Sequence, residues 1–271
     1  MNDFPAYTLV DTETRRIVSH FVEQEFQISV ARPVLHPGDR PTSYPVLYLF
    51  DANFYFGGVT EMTRLMRECN EFPVTMIVGI GYPFAGPVNE MIDMVSGWRT
   101  RDFTPVVSPK AEQAILQNSP TLQAVTSGGA DAFYQFVTQE VIPLVEAAYP
   151  IDPVDRTFMG HSWGGVFGLY SLFRDPLLYK NYLICSPDLP YGDGILFNYE
   201  EAYAKTHDSL SAKLFISQGG RETAEDNQRF VSVLEGRGYN DLSITHKSIM
   251  ECEHCASPMP SFVAGLKAVF D

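Results

Sequence analysis

A chain of 271 residues, 45% of them hydrophobic, is long enough to bury one large core as a single domain. Its net charge of -14, from 19 basic and 33 acidic residues, leaves no basic surface to neutralise phosphates, so neither nucleic acid nor an anionic membrane is an expected partner. The opening stretch "MNDFPAYTLVDTETRR" lacks a secretory-signal pattern, and no run of about 18 apolar residues occurs, so a soluble cytoplasmic protein is expected.

In chain order, "FQISVA" (26–31) predicts a strand by its alternation, and "VLYLF" (46–50) and "VTMIVGI" (74–80) predict buried strands by their continuity. Residues 81–130 then run long with scattered Pro, Gly and polar residues, the profile of an irregular roof or lid. Helical spacing follows at 131–149, a short strand at 157–160, and a helix at 164–173. Strands at 182–186 and 213–217, a helix at 227–238, a strand at 242–249 and a helix at 258–270 complete the pattern. Strands alternating with helices predict an α/β fold, a mostly parallel sheet covered on both faces. With no internal repeat and no linker, residues 1–271 read as one domain.

The stretch "TFMGHSWGGVFGLY" (157–170) contains Gly160-His161-Ser162-Trp163-Gly164, a G-x-S-x-G motif between a predicted strand and a predicted helix. That context is a nucleophile elbow of the α/β-hydrolase fold. A large side chain two positions from the serine would strike neighbouring backbone, so both places are glycine. The helix N-terminus favours developing negative charge, and the Trp163 N–H points where an oxyanion would form.

A serine hydroxyl needs a base, and histidine suits that role near neutral pH. The order Ser, acid, His at such an elbow sets aside His20, His36 and His161 of the six histidines. His207 falls in a polar stretch and His246 inside the last strand, whereas His254 follows that strand in "MECEHCASPMP" and can swing over Ser162. For the acid, the turn in "KLFISQGGRETAEDNQRF" offers Glu222 as first choice and Asp226 as second. Glu225 is a third carboxylate there, and all three equally suit a helix N-terminus. The second oxyanion donor is expected from the backbone N–H of Ala52 or Asn53, with Asp51 bracing the turn. Cys252, His254 and Cys255 are candidate metal ligands, but no second cluster completes a tetrahedral set, so neither metal nor cofactor is expected. Four cysteines are few for this length, and Cys185 reads as a small buried thiol in a strand.

These segments together resemble the esterase D-like branch of the α/β-hydrolases, which includes siderophore esterases, S-formylglutathione hydrolases, feruloyl esterases and mycolyltransferases. The likeness is greatest to bacterial siderophore-esterase-like members. It rests on "YPVLYLFDANFYF", "MIVGIGYP", "RTRDFTP", the block from "GGADAFYQF" to "GHSWGG", "YLICSP" and the late histidine segment. The resemblance implies Ser162 as nucleophile and His254 as base, with some relatives working through a Ser–His pair alone. It also implies that "RTRDFTP", with Arg99, Arg101 and Asp102, lies near the mouth, where Arg101 would meet substrate or else tie the roof to the sheet. Departures from the family pattern, Ala52 after Asp51, Cys255 after His254, and "SPDLPYGDG", bear on specificity more than on catalysis.

Aromatics near the expected mouth, among them Phe54 and Tyr82, suit a small to medium acyl ester or lactone. Two other readings use the same residues: an acyltransferase with the same nucleophile, and a catalytically silent binding protein on the same fold.

Overall fold

The computed structural model describes residues 7–220 and 225–270. Eight strands among them form one sheet: β1 (Thr12–Val18), β2 (Glu25–Ala31), β3 (Tyr44–Phe50), β4 (Met76–Gly81), β5 (Ile151–His161), β6 (Asn181–Cys185), β7 (Ser209–Gly219) and β8 (Asn240–Ile249). Their order is β1-β2-β4-β3-β5-β6-β7-β8. β2 pairs antiparallel with β1 and β4, and every other pairing is parallel.

The central strands are apolar throughout because both faces of the sheet are covered. Alternate residues still divide between the two sides. Leu47, Leu49, Ile77, Met159, Leu183 and Phe215 join one core cluster. Tyr48, Phe50, Val78, Phe158, Tyr182 and Ile184 join the other. On the first side lie α1 (Ala52–Glu68) and α9 (Pro258–Phe270), contributing Val59, Met66, Phe262 and Leu266. The opposite side is covered by α2 (Val88–Phe103), α4 (Ala130–Phe136), α5 (Ile142–Ala148), α6 (Trp163–Arg174), α7 (Tyr191–Ala204) and α8 (Glu225–Arg237).

The helix expected over 131–149 is continuous but widens to a π-turn at Val137–Val141 between α4 and α5. Pro143 supplies the physical reason, since it has no N–H for the α-helical ladder and its ring crowds the preceding turn.

Residues 81–130 differ from the irregular roof expected of them. They hold α2 and a further helix, α3 (Pro109–Asn118). Ser108 caps α3 by accepting from the Ala111 N–H at 3.3 Å, and Pro109 opens it. Yet α3 buries none of its residues. It is tethered by polar bonds: the Ser127 hydroxyl and N–H both donate to Glu112, at 2.6 and 2.9 Å. Among the described residues, no helix is long and apolar enough to cross a membrane.

Helix α6 leaves the sheet at the elbow, and its residues Gly164–Phe173 are all buried. Gly168 lets it lie that close, because a methyl group there would overlap the Phe158 ring and the Ile184 side chain, both fully buried. Gly168→Ala is therefore expected to destabilise the fold by about 1–3 kcal/mol through overpacking. A urea midpoint measured at unchanged m-value checks this.

Candidate active site

β5 ends at His161 and α6 starts at Trp163, leaving Ser162 between them at φ 58° and ψ -121°. A serine held there stores about 1–3 kcal/mol of strain, which persists only where the surroundings over-determine the backbone. They do: its N–H donates to the Cys185 carbonyl at 2.9 Å, and its own carbonyl accepts from Val166 at 3.0 Å. A Cβ on Gly160 would lie 2.6 Å from the Gly164 carbonyl oxygen, which is why the elbow closes only with glycine there.

The turn after β3 faces the elbow. Asp51 adopts the left-handed conformation (φ 58°, ψ 41°), and its carbonyl accepts from Phe54 and Tyr55 at 2.9 and 3.2 Å to begin α1. Ala52 and Asn53 therefore present N–H groups without an intrahelical acceptor. The Asn53 side chain locks this turn to the end of β4, accepting from the Tyr82 N–H and donating to the Tyr82 carbonyl, both at 2.7 Å.

A buried ion pair joins roof, turn and elbow. Arg99 of α2 donates Nε and Nη2 to the two oxygens of Asp51, each at 2.7 Å, and Nη2 also reaches the His161 carbonyl at 3.3 Å. Asp51 is 1% exposed. Burial alone would weaken the charge on Arg99, but the Asp51 carboxylate outweighs it and holds the guanidinium pKa above its ordinary value. The Trp163 ring lies against the same guanidinium, 5.5 Å from ring centroid to Cζ.

His254 sits on the loop between β8 and α9. The Ser257 hydroxyl donates to the His254 carbonyl at 3.0 Å, and the Ser257 and Ser186 hydroxyls share a bond of 3.2 Å. This ties the histidine loop to the end of β6. The His254 ring packs on that of His161, centroids 4.6 Å apart. His161 shares a 3.2 Å hydrogen bond with the Tyr55 hydroxyl through Nδ1. Its pKa is pushed down to about 3, first by burial and then by the positive potential of His254 and Arg99. A neutral imidazole therefore backs His254 across the working pH range.

Ser162, Trp163 and His254 line one cleft of about 620 Å³ at the carboxyl ends of the strands, with Arg99, Asp188 and Asp226 on its walls. Sequence reasoning thus selected a serine and a histidine that open on the same space. Of the two candidate acids, Asp226 is on the wall, whereas Glu222 lies outside the described residues. Glu225 is exposed at the start of α8. Ala52 and Asn53 line a separate hollow of about 270 Å³ together with Tyr82.

The guanidinium on the cleft wall belongs to Arg99, not Arg101. Arg101 instead makes a bidentate pair with fully buried Asp102, at 2.6 and 3.0 Å, and the Tyr82 hydroxyl donates to the same carboxylate at 2.8 Å. That network ties roof to core and leaves Tyr82 only 2% exposed. Phe54 lies on the exposed side of α1 and does not line the cleft.

The Asp51–Arg99 pair was only half legible in sequence, through the acid after a strand and the arginine of "RTRDFTP". Ile115 of α3, which lines the cleft, and the Trp163 Nε1 bond to Asp188 at 2.9 Å had no sequence signal. Cys185 is buried as expected, its thiol pKa pushed up to about 12 by burial. All four cysteines are free, and among the described residues no group of three His, Cys, Asp or Glu is placed to hold a metal.

The elbow, the sheet order and the cleft define an α/β-hydrolase. Residues 19–247 match the family model described as "Putative esterase", and the chain belongs to that family. Ferri-bacillibactin esterase BesA of Bacillus subtilis is 28% identical over 254 residues, spanning 92% of this chain and 83% of that protein. The siderophore enterobactin esterase of Emericella nidulans is 31% identical over 216 residues, 76% of this chain and 69% of that one. The crystal structure of the BES protein from Bacillus cereus superposes with a TM-score of 0.80 at 24% identity, covering 98% of this chain and 97% of that one. The protein is an esterase.

Two measurements probe this geometry. His161 stays neutral when folded but protonates below about pH 6.5 when unfolded, so acidification from there towards its folded value of about 3 erodes stability. The slope from this one group is at most about 1.4 kcal/mol per pH unit, and His161→Gln is expected to flatten the pH dependence of the denaturation midpoint in that window. Arg99→Met, which strands the Asp51 carboxylate, is expected to cost about 3–5 kcal/mol, with partial recovery in Arg99→Met/Asp51→Asn when the cycle is measured by urea unfolding.

Proposed function

We propose that this esterase acts through an acyl-enzyme on Ser162, and that its substrates are ester or lactone bonds of small molecules of the siderophore type. The observation that carries the mechanism is the serine held at a strained elbow on the same cleft as His254. His254 accepts the Ser162 proton as Oγ attacks the ester carbonyl. The carbonyl π electrons move to oxygen, and the resulting oxyanion is received by the N–H of Trp163 and that of Ala52 or Asn53. Collapse breaks the C–O bond, and the departing alcohol takes the proton from His254. Water, deprotonated by the same imidazole, then attacks the acyl-enzyme, and Ser162 regains its proton as the acid leaves. No metal or cofactor enters this cycle.

The siderophore reading is supported by relatives whose names state that activity and which align over most of this chain. Asp226 stands on the cleft wall as an acid that can orient His254, with Glu222 as the other candidate.

Hydrolysis of a para-nitrophenyl ester series by wild type, Ser162→Ala and His254→Ala tests the mechanism. Each substitution is expected to lower kcat by on the order of a thousandfold or more, and wild type but not Ser162→Ala should gain the mass of an organophosphonate. Undiminished turnover by Ser162→Ala would overturn the reading. Asp226→Asn and Glu222→Gln, assayed beside them, identify the acid by the larger loss of kcat.

A further inference from the structure

His254 is held by its backbone, and the bonds that hold it lead back to the strand that also holds Ser162. The Glu253 carbonyl accepts from the N–H groups of Ala256 and Ser257, both at 3.0 Å, which curls residues 253–257 into one helical turn. Within that turn the His254 carbonyl accepts from the Ser257 hydroxyl, three residues on, at 3.0 Å. Ser257 is also the N-cap of α9, since its carbonyl accepts from the Ser261 N–H at 2.9 Å. A serine there ordinarily uses its hydroxyl to accept from the second or third helical N–H. Pro260, at the third helical position, has no N–H to offer, and the Ser257 hydroxyl turns instead to the loop before the helix.

A hydroxyl has one proton to donate. Ser257 gives its proton to His254, so in the 3.2 Å bond between Ser257 and Ser186 the donor is Ser186. The result is a directed chain from Ser186 through Ser257 to the His254 carbonyl. Both serines are buried, so water does not compete for these bonds. Ser186 adopts φ 44° immediately before Pro187, a place where extended backbone is the ordinary choice. Its N–H donates to the Ser217 carbonyl at 2.7 Å, and left-handed backbone of this kind in a residue other than glycine clusters at functional sites. The chain begins where the nucleophile is anchored: the Cys185 carbonyl accepts the Ser162 N–H at 2.9 Å, and Ser186 is the next residue. Two consecutive residues at the end of β6 therefore hold the backbones of both Ser162 and His254, and Ser162, Ser186 and His254 line the same cleft.

We propose that Ser186 and Ser257 are positioning residues of this esterase, whose directed hydroxyl chain sets the placement of the His254 imidazole relative to Ser162. This rests on the reading of Ser162 and His254 as the ester-cleaving pair and adds two residues that act through His254 and take no part in making or breaking bonds. A base displaced by about 1 Å loses on the order of a hundredfold in rate, so a chain that fixes the loop backbone reaches the chemistry without touching the ester.

The test is steady-state hydrolysis of para-nitrophenyl butyrate by Ser186→Gly, Ser257→Ala and the double variant, with urea midpoints measured on the same preparations. Ser186→Gly removes the hydroxyl while suiting the left-handed backbone, so a purely structural serine predicts unimpaired turnover. The chain instead predicts a fall in kcat of about tenfold or more for each single variant. KM should stay within about twofold, because the same imidazole serves acylation and deacylation and both steps slow together. The double variant should lose no more than about threefold beyond the worse single one, since either substitution already breaks the chain. A kcat for Ser186→Gly within about threefold of wild type would overturn the positioning role, even where Ser257→Ala folds poorly. So would a rise in KM at unchanged kcat, which marks a contact with substrate, or losses that multiply in the double variant, which mark separate roles. Ser162→Ala and His254→Ala, assayed beside them, separate this failure from that of the mechanism: wild-type turnover by either would overturn the ester-cleaving pair and the positioning role with it.

Discussion

The bond network that most of this site depends on is the ion pair between Arg99 and Asp51. Removing two charges from water costs several kcal/mol per ion, and only bidentate geometry with further hydrogen bonds repays it. Here the fork meets both carboxylate oxygens and its remaining reach touches the His161 carbonyl. Three segments far apart in sequence, the turn after β3, helix α2 and the elbow, are thereby held in one arrangement. The pair also fixes the turn that leaves the Ala52 and Asn53 N–H groups outside the helical ladder.

The elbow works under the same constraint. Ser162 is held at φ 58° because Cys185, Val166 and the Gly160–Gly164 approach leave its backbone no alternative. The strain is offset by α6, one of the most completely buried helices of the chain, whose apolar face closes on Phe158 and Ile184. Core packing and the conformation of Ser162 are therefore one problem in this fold: loosening α6 would relax the serine.

Electrostatics in the cleft follow from which charges are already spoken for. Arg99 is spent on Asp51, and His161 is kept neutral by burial. His254 thus packs against an uncharged ring, and Asp188 and Asp226 stand with Arg99 on the cleft wall.

What the sequence determined by itself was what local pattern can carry. Continuous apolar runs marked the parallel strands, 3.6-residue spacing marked the helices over 131–149 and 164–173, and the glycine pair around Ser162 marked the elbow. His254, which shares a cleft with Ser162, was singled out because the chain order expected at such an elbow puts the histidine after the last strand. The edge strand β1 escaped notice because its side chains are polar and largely exposed, so no hydrophobic period reports it. Helix α1 escaped because "NFYFGGVT" has poor helix propensity and forms a helix only when Val59 and Met66 pack under α9. The roof helices were hidden by the Pro and Gly residues of the loops that flank them, and α3 has no buried face to announce it. Tertiary structure alone decided that Arg99 faces the cleft while Arg101 serves Asp102, two residues on the same helix. That choice depends on a carboxylate 48 residues away, and a pairing over that distance leaves no local period to read.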